Sequence, residues 1–81
     1  MTHAQKKQLE ATRQRDHDLV RANQSGQLSR QWMRIQENMF TAGLRPEFYA
    51  AVQAELDRIA ELRDEAEARE WAAWERLTKA A

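Results

Sequence analysis

Apolar side chains recur at three- and four-residue spacing along most of this chain, the period of an α-helix with one buried face. The longest run is Phe48, Val52, Leu56, Ile59, Leu62 and Ala66, and no Gly or Pro follows Pro46. These features predict a long third helix over about 46–79. Upstream, Trp32, Ile35 and Met39 share one stripe, with Met33 and Phe40 on the next, which predicts a short helix over about 30–42 that is apolar around half its circumference. The first helix, about 3–24, is thinner. Leu9, Thr12, Leu19 and Val20 recur at helical spacing, with Ala4 and Asp16 beside them, so its face is too narrow to fold alone.

Boundary signals agree with this division. Thr2 followed three residues later by Gln5 fits a capping box at the start of the first helix. Ser25-Gly26 reads as its stop, because Gly enters the left-handed conformation that closes a helix. Ser29 is the expected cap of the second helix, with Leu28 stapled onto Met33. Gly43-Leu44 suits an ending in which Leu44 folds back on Met39, and Arg45-Pro46 places Pro at the start of the third helix.

The third helix would reach about 50 Å, and the first two laid end to end would reach about the same. The chain is therefore predicted to be an all-α antiparallel hairpin forming a single domain over 1–81, the first and second helices packing along the third. In that register Leu9 falls near Trp74 and Leu77. The cluster Trp32, Met33, Met39, Phe40, Phe48 and Tyr49 flanks the turn and is expected to be core. The apolar seam is expected to fade beyond Leu62, where Ala66, Arg69 and Ala73 follow.

Composition strengthens the helical reading. The 81 residues include only 2 Gly and 1 Pro, and Ala, Gln, Glu and Arg dominate. With no Cys there is neither a disulfide framework nor a thiolate zinc site to support a small core, which leaves oligomerisation, a homodimer above all. The start "MTHAQKKQ" has no apolar signal region and no stretch is long enough to span a membrane, which points to the cytoplasm. Arg-over-Lys usage and abundant Ala suggest a bacterial or phage source.

Net charge is zero, yet residues 1–45 hold 8 basic against 4 acidic residues and 46–81 hold 5 against 9. Opposed charges of this kind suit two helical arms lying against each other or against a second copy. Lys6, Lys7, Arg13, Arg15 and Arg21 offer an alternative, a nucleic-acid-binding regulator using the basic face of the first helix. The interleaved Glu10, Asp16 and Asp18 argue against that alternative. The third helix opens with Glu47, Glu55 and Asp57 before its first Arg, which phosphates would repel, so the turn does not read as a DNA-binding helix-turn-helix.

Candidate chemistry is sparse. The two histidines, His3 and His17, are too far apart to share a metal, and no phosphate loop or nucleophile arrangement occurs. No catalytic residue, metal or cofactor is predicted, and the chain is not expected to be an enzyme. The unexplained feature is "REWAAWERL", which sets Trp71 and Trp74 in a charge-crowded run. Trp74 can cover the weak end of the first helix, whereas Trp71 continues a face of Glu67 and Asp64. Trp71, Trp74, Leu77, Arg69 and Arg76 are therefore the predicted partner-binding residues, since Trp and Arg are enriched at interface hot spots. Tyr49 and Trp32 are secondary contacts. The function expected from these features is a small protein-binding regulator of inhibitor, anti-activator or adaptor type. A structural coiled-coil or assembly element is a further alternative.

Overall fold

The computed structural model describes residues 1–79; the last two residues of the expected 1–81 domain lie outside the described residues. Three helical stretches, α1 (His3–Ala22), α2 (Gln24–Thr41) and α3 (Tyr49–Lys79), account for nearly all of it. Only Asn23 separates α1 from α2. The chain is thus two helices, the first of them bent, rather than three separate ones. They lie antiparallel in a rod of 63 × 16 × 15 Å.

The bend corrects the expected break. It falls at Asn23 rather than Ser25-Gly26, and Asn23 alone adopts φ 50 and ψ 52. Asn tolerates this left-handed conformation because its short polar side chain can bond locally. Here it closes α1, and its Oδ1 accepts from the Gly26 N–H at 3.3 Å, so the same residue also caps α2. Gln27 seals the junction by donating Nε2–H to the Ala22 carbonyl at 2.8 Å. Gly26 is therefore a first-turn helical residue, and it must be small: an added Cβ would lie 2.5 Å from the Asn23 side chain. Ser29, expected as a cap, sits inside α2, and Met33 is exposed rather than stapled to Leu28.

The other ends match the sequence signals. Thr2 and Gln5 form the capping box, Gln5 N–H donating to Thr2 Oγ1 at 3.2 Å and Thr2 N–H to Gln5 Oε1 at 2.9 Å. Gly43 takes φ 63, and Leu44 is half-buried in a hollow shared with Met39 and Val52. Pro46 opens a single 3₁₀ turn, Pro46–Phe48, before the α-helical hydrogen bonding of α3 begins.

Two contacts fix the register. Arg76 of α3 binds Asp16 of α1, and Glu70 of α3 binds Ser25 of α2. Moving up one arm moves down the other, as an antiparallel hairpin requires. The buried residues of α3 are Leu56, Ile59, Ala66 and Ala73. With the half-buried Val52, Arg63, Glu70 and Leu77 they define an unbroken alternation of three and four residues from 52 to 77. The seam therefore does not fade beyond Leu62; it runs through the buried Ala66 and Ala73 and accepts two charged residues. Leu62 and Arg69 lie at its edge.

Glu70 shows how a charge is tolerated there. Its carboxylate accepts from the Ser25 hydroxyl and from the Ser25 backbone N–H, the latter at 3.3 Å. That N–H belongs to the first turn of α2, where donors lack intrahelical partners and the helix dipole favours a negative charge. Glu70 thus stabilises the bend from the opposite arm. Glu70→Ala is expected to cost roughly 1 kcal/mol, the usual worth of a lost cap. In a domain this small that lowers the melting temperature by about 4–8 °C. A calorimetric scan with no shift would mean the contact does not stabilise the bend.

The hairpin leaves much of itself uncovered. Accessible surface is 6534 Å², against about 5,000 Å² for a compact monomer of 9.5 kDa. Folding removes only about 53% of the surface of the extended chain. Of the cluster expected as core at the turn, Trp32 and Met39 are half-buried, while Met33, Phe40, Phe48 and Tyr49 are exposed. The cause is geometric: two helices offer each other one stripe apiece, and the second stripe of α2 has nothing to face.

Candidate functional site

Trp71 and Trp74 are three residues apart on α3, which places them one turn apart on neighbouring stripes. Their rings stack with centroids 5.3 Å apart and planes inclined at 21°, within the offset range that aromatic pairs favour. Trp71 is 60% exposed and Trp74 47%. Such exposure for two adjacent tryptophans makes this the most conspicuous apolar surface of α3.

The pair forms one wall of an open groove of about 550 Å³ running between α1 and α3 at the Asn23 bend. Val20 and Asn23 line it from the bent arm, and Asp64, Glu67, Ala68 and Glu70 line it from α3. Asp64 accepts from Arg63 at 3.1 Å. Glu67 has no ion-pair partner among the described residues. The groove is therefore an aromatic wall with a carboxylate edge, in a chain whose net charge is zero.

The remaining predicted contact residues do not join the tryptophans in one patch. Arg69 lines a separate hollow with Leu28, Gln31 and Leu62 on the opposite flank of the hairpin. Arg76 is committed to Asp16: its Nε–H donates to one carboxylate oxygen at 2.9 Å and its Nη2–H to the other at 2.7 Å. Leu77 is half-buried and shares a hollow with Leu9 and Thr12. Leu9, still exposed, shares that hollow with Leu77, as the expected register has it, whereas Trp74 lines the Val20 groove instead of covering Leu9. Tyr49 is exposed on the first turn of α3, far from the tryptophans, and Trp32, on α2, is half-buried.

Asp16 is the one buried charged residue among those described, its side chain 5% exposed. The bidentate hydrogen bond from Arg76 holds its carboxyl below the usual carboxylate range against the opposing effect of burial, with smaller pulls from the charges of Arg76, Arg15 and His17. Arg76 is in turn raised by the same bond. This pair fastens the two helix ends together.

Sequence reasoning missed Val20, Asn23 and Glu70 as groove residues. Val20 had the correct helical spacing, but the left-handed Asn23 that brings it beside Trp74 carried no recognised signal. Among the described residues no group of three or more His, Cys, Asp or Glu gathers in a metal-binding arrangement, and no helix is long and apolar enough to cross a membrane. No protein-family model, curated protein or solved structure matches the chain.

Proposed function

We propose that this chain is a small cytoplasmic protein-binding regulator, of inhibitor, anti-activator or adaptor type, that works as a homodimer and acts by helix-face contact. The observation that carries the reading is the stacked and exposed Trp71–Trp74 pair over an open groove. Leaving two large apolar side chains in water forgoes up to a few kcal/mol of burial, which a protein contact would recover. Trp, Tyr and Arg are the side chains that anchor such contacts. The surface includes Trp71, Trp74 and the adjoining groove. Leu77, Arg69 and Arg76 lie outside it, in other hollows of the rod, and Tyr49 and Trp32 contribute secondary contact.

The experiment is affinity purification of the tagged protein from its host, paired with light scattering of the isolated chain. Trp71→Ala is expected to abolish retention of the larger partner while changing the helical content little, because Trp71 packs on the chain itself mainly through Trp74. Unchanged retention with Trp71→Ala would sink the assignment of this surface.

The uninterrupted seam from Val52 to Leu77 favours one second reading, a structural or assembly element built on coiled-coil packing. Sedimentation separates the two. Concentration-dependent growth beyond a dimer would support the assembly element.

A further inference from the structure

We infer that the Trp71–Trp74 groove takes an arginine side chain from a basic segment of the larger partner, the guanidinium lying on the tryptophan stack and pairing with Glu67. The inference rests on the reading of this surface as a protein contact and adds the chemistry of what it contacts.

The first support is the form of the aromatic wall. Trp71 and Trp74 stack with centroids 5.3 Å apart and planes inclined at 21°, which leaves no slot for a third group between the rings. An incoming group can meet only the outside of the stack, which stays open because both tryptophans are exposed. A flat group covers such a surface best. Aromatic side chains, nucleic-acid bases and the guanidinium of Arg are flat, whereas the ammonium of Lys is not.

The second support is charge, which selects among the flat groups. Counted round α3 from the buried Ala66 at about 100° per residue, Trp74, Glu67, Trp71 and Asp64 fall together between about 80° and 160°. Arg58, Arg69 and Arg76 fall about 60–80° the other way, and Arg69 and Arg76 line other hollows. The charged residues of α3 on the tryptophan flank, Asp57, Asp64, Glu67 and Glu75, are therefore all acidic.

Not all of these carboxylates are free. Arg63, at the edge of the flank, donates to Asp64, and Glu70 at the seam is engaged by Ser25. Glu67 remains: it lines the groove one turn before Trp71, is exposed, and makes no ion pair among the described residues. The bent arm brings only the uncharged Val20 and Asn23 to the groove. Arg21 lies about 100° further round α1 than Val20 and pairs with none of these carboxylates among the described residues.

A cation brought to the stack thus finds a ring face and an uncommitted carboxylate within one helical turn. Phosphates of a nucleic acid, or an acidic peptide, would meet negative charge instead. Arginine meets both demands, because its weakly hydrated guanidinium stacks on aromatic faces and presents a fork of donors to a carboxylate.

The chain has 3 Trp, so an isotope-labelled sample gives one indole N–H signal for each, and Trp32, which does not line the groove, is the internal control. The probes are blocked Gly-Ser peptides carrying spaced arginines, with lysine and glutamate counterparts. The arginine peptide is expected to shift the Trp71 and Trp74 signals, leave Trp32 in place and bind more tightly than the lysine peptide. Its affinity should fall about 2–5-fold in Glu67→Gln, the range of an exposed ion pair, and at least ~3-fold in Trp71→Ala. The glutamate peptide should move none of the signals. Any of four results would overturn the inference: arginine and glutamate peptides shifting the same signals alike; a lysine peptide binding as tightly as the arginine one; arginine affinity unchanged when Glu67→Gln is combined with Asp64→Asn; or no movement of Trp71 and Trp74 at ~10 mM peptide, where even a millimolar contact is populated. If the larger partner is retained through Trp71 but indifferently to Glu67→Gln with Asp64→Asn, this inference fails and the proposed function stands. If the arginine peptide binds as expected while partner retention ignores Trp71→Ala, the arginine site stands and the proposed function fails.

Discussion

Ile59→Ala is expected to destabilise the protein by about 2–4 kcal/mol, the range for truncating a buried Ile in a core that cannot fully collapse. Ile59 is 1% exposed and is the only large side chain that is fully buried among those described. Its neighbours on the seam, Val52, Leu56 and Ala66, cannot close over the void, because α2 already meets them along a single stripe. A chain of 81 residues has a total stability of about 4–12 kcal/mol, so the loss is a large fraction of the whole. The expected fall in melting temperature is about 10–25 °C by circular dichroism, and Ile59→Val should cost about 1 kcal/mol. An Ile59→Ala shift below about 4 °C would show that the core is not centred on this seam.

The same residue shows what the sequence made legible. Val52, Leu56 and Ile59 are large, apolar and correctly spaced, so the long helix and its buried face could be read directly. Beyond them the seam consists of Arg63, Ala66, Glu70, Ala73 and Leu77. Two charges and two alanines look like the end of a core when apolar size is the signal. The spacing of seven from Ile59 through Ala66 to Ala73 was the surviving cue. The two alanines are nonetheless buried, and Glu70 is at home because the bend of the other arm presents it with hydrogen-bond donors. That bend was itself illegible at Asn23, since Ser25-Gly26 is a stronger helix stop by composition, yet an Asn in the left-handed conformation served both helices at once.

The site was legible in its anchor and not in its surroundings. Trp71 and Trp74 stood out because nothing local explained them. Arg69 and Arg76 were grouped with them by proximity in sequence, but residues two apart on a helix point to different faces. Met33 and Phe40 were expected in the core because they are apolar and near a turn, and only the two-helix architecture reveals that their stripe has no intrachain partner.

Arg76→Ala is expected to flatten the response of the protein to acid. In the native chain the bond from Arg76 outweighs burial and lowers the Asp16 pKa in the folded state. Its contribution to stability is therefore complete above the unfolded value of about 3.9 and disappears as pH falls through the lower folded value. Without Arg76 the largest pull on the carboxylate is gone, and burial is opposed only by the smaller charges of Arg15 and His17, so the folded pKa rises toward the unfolded one. Asp16 then contributes little to stability, so the variant is destabilised at neutral pH and loses the acid-dependent fall that Asp16 gives the native chain. Melting temperature measured from about pH 5 toward about pH 2 should fall more steeply for the native chain than for Arg76→Ala. Asp16→Asn removes the ionisable group, so the double variant Asp16→Asn with Arg76→Ala should melt close to Arg76→Ala alone and share its flatter slope. That coupling is the signature of a pair rather than of two independent residues. If Arg76→Ala melts with the native slope and the double variant is the less stable of the two, then Asp16 is not held by Arg76, and α1 is fastened to α3 by its thin apolar stripe alone.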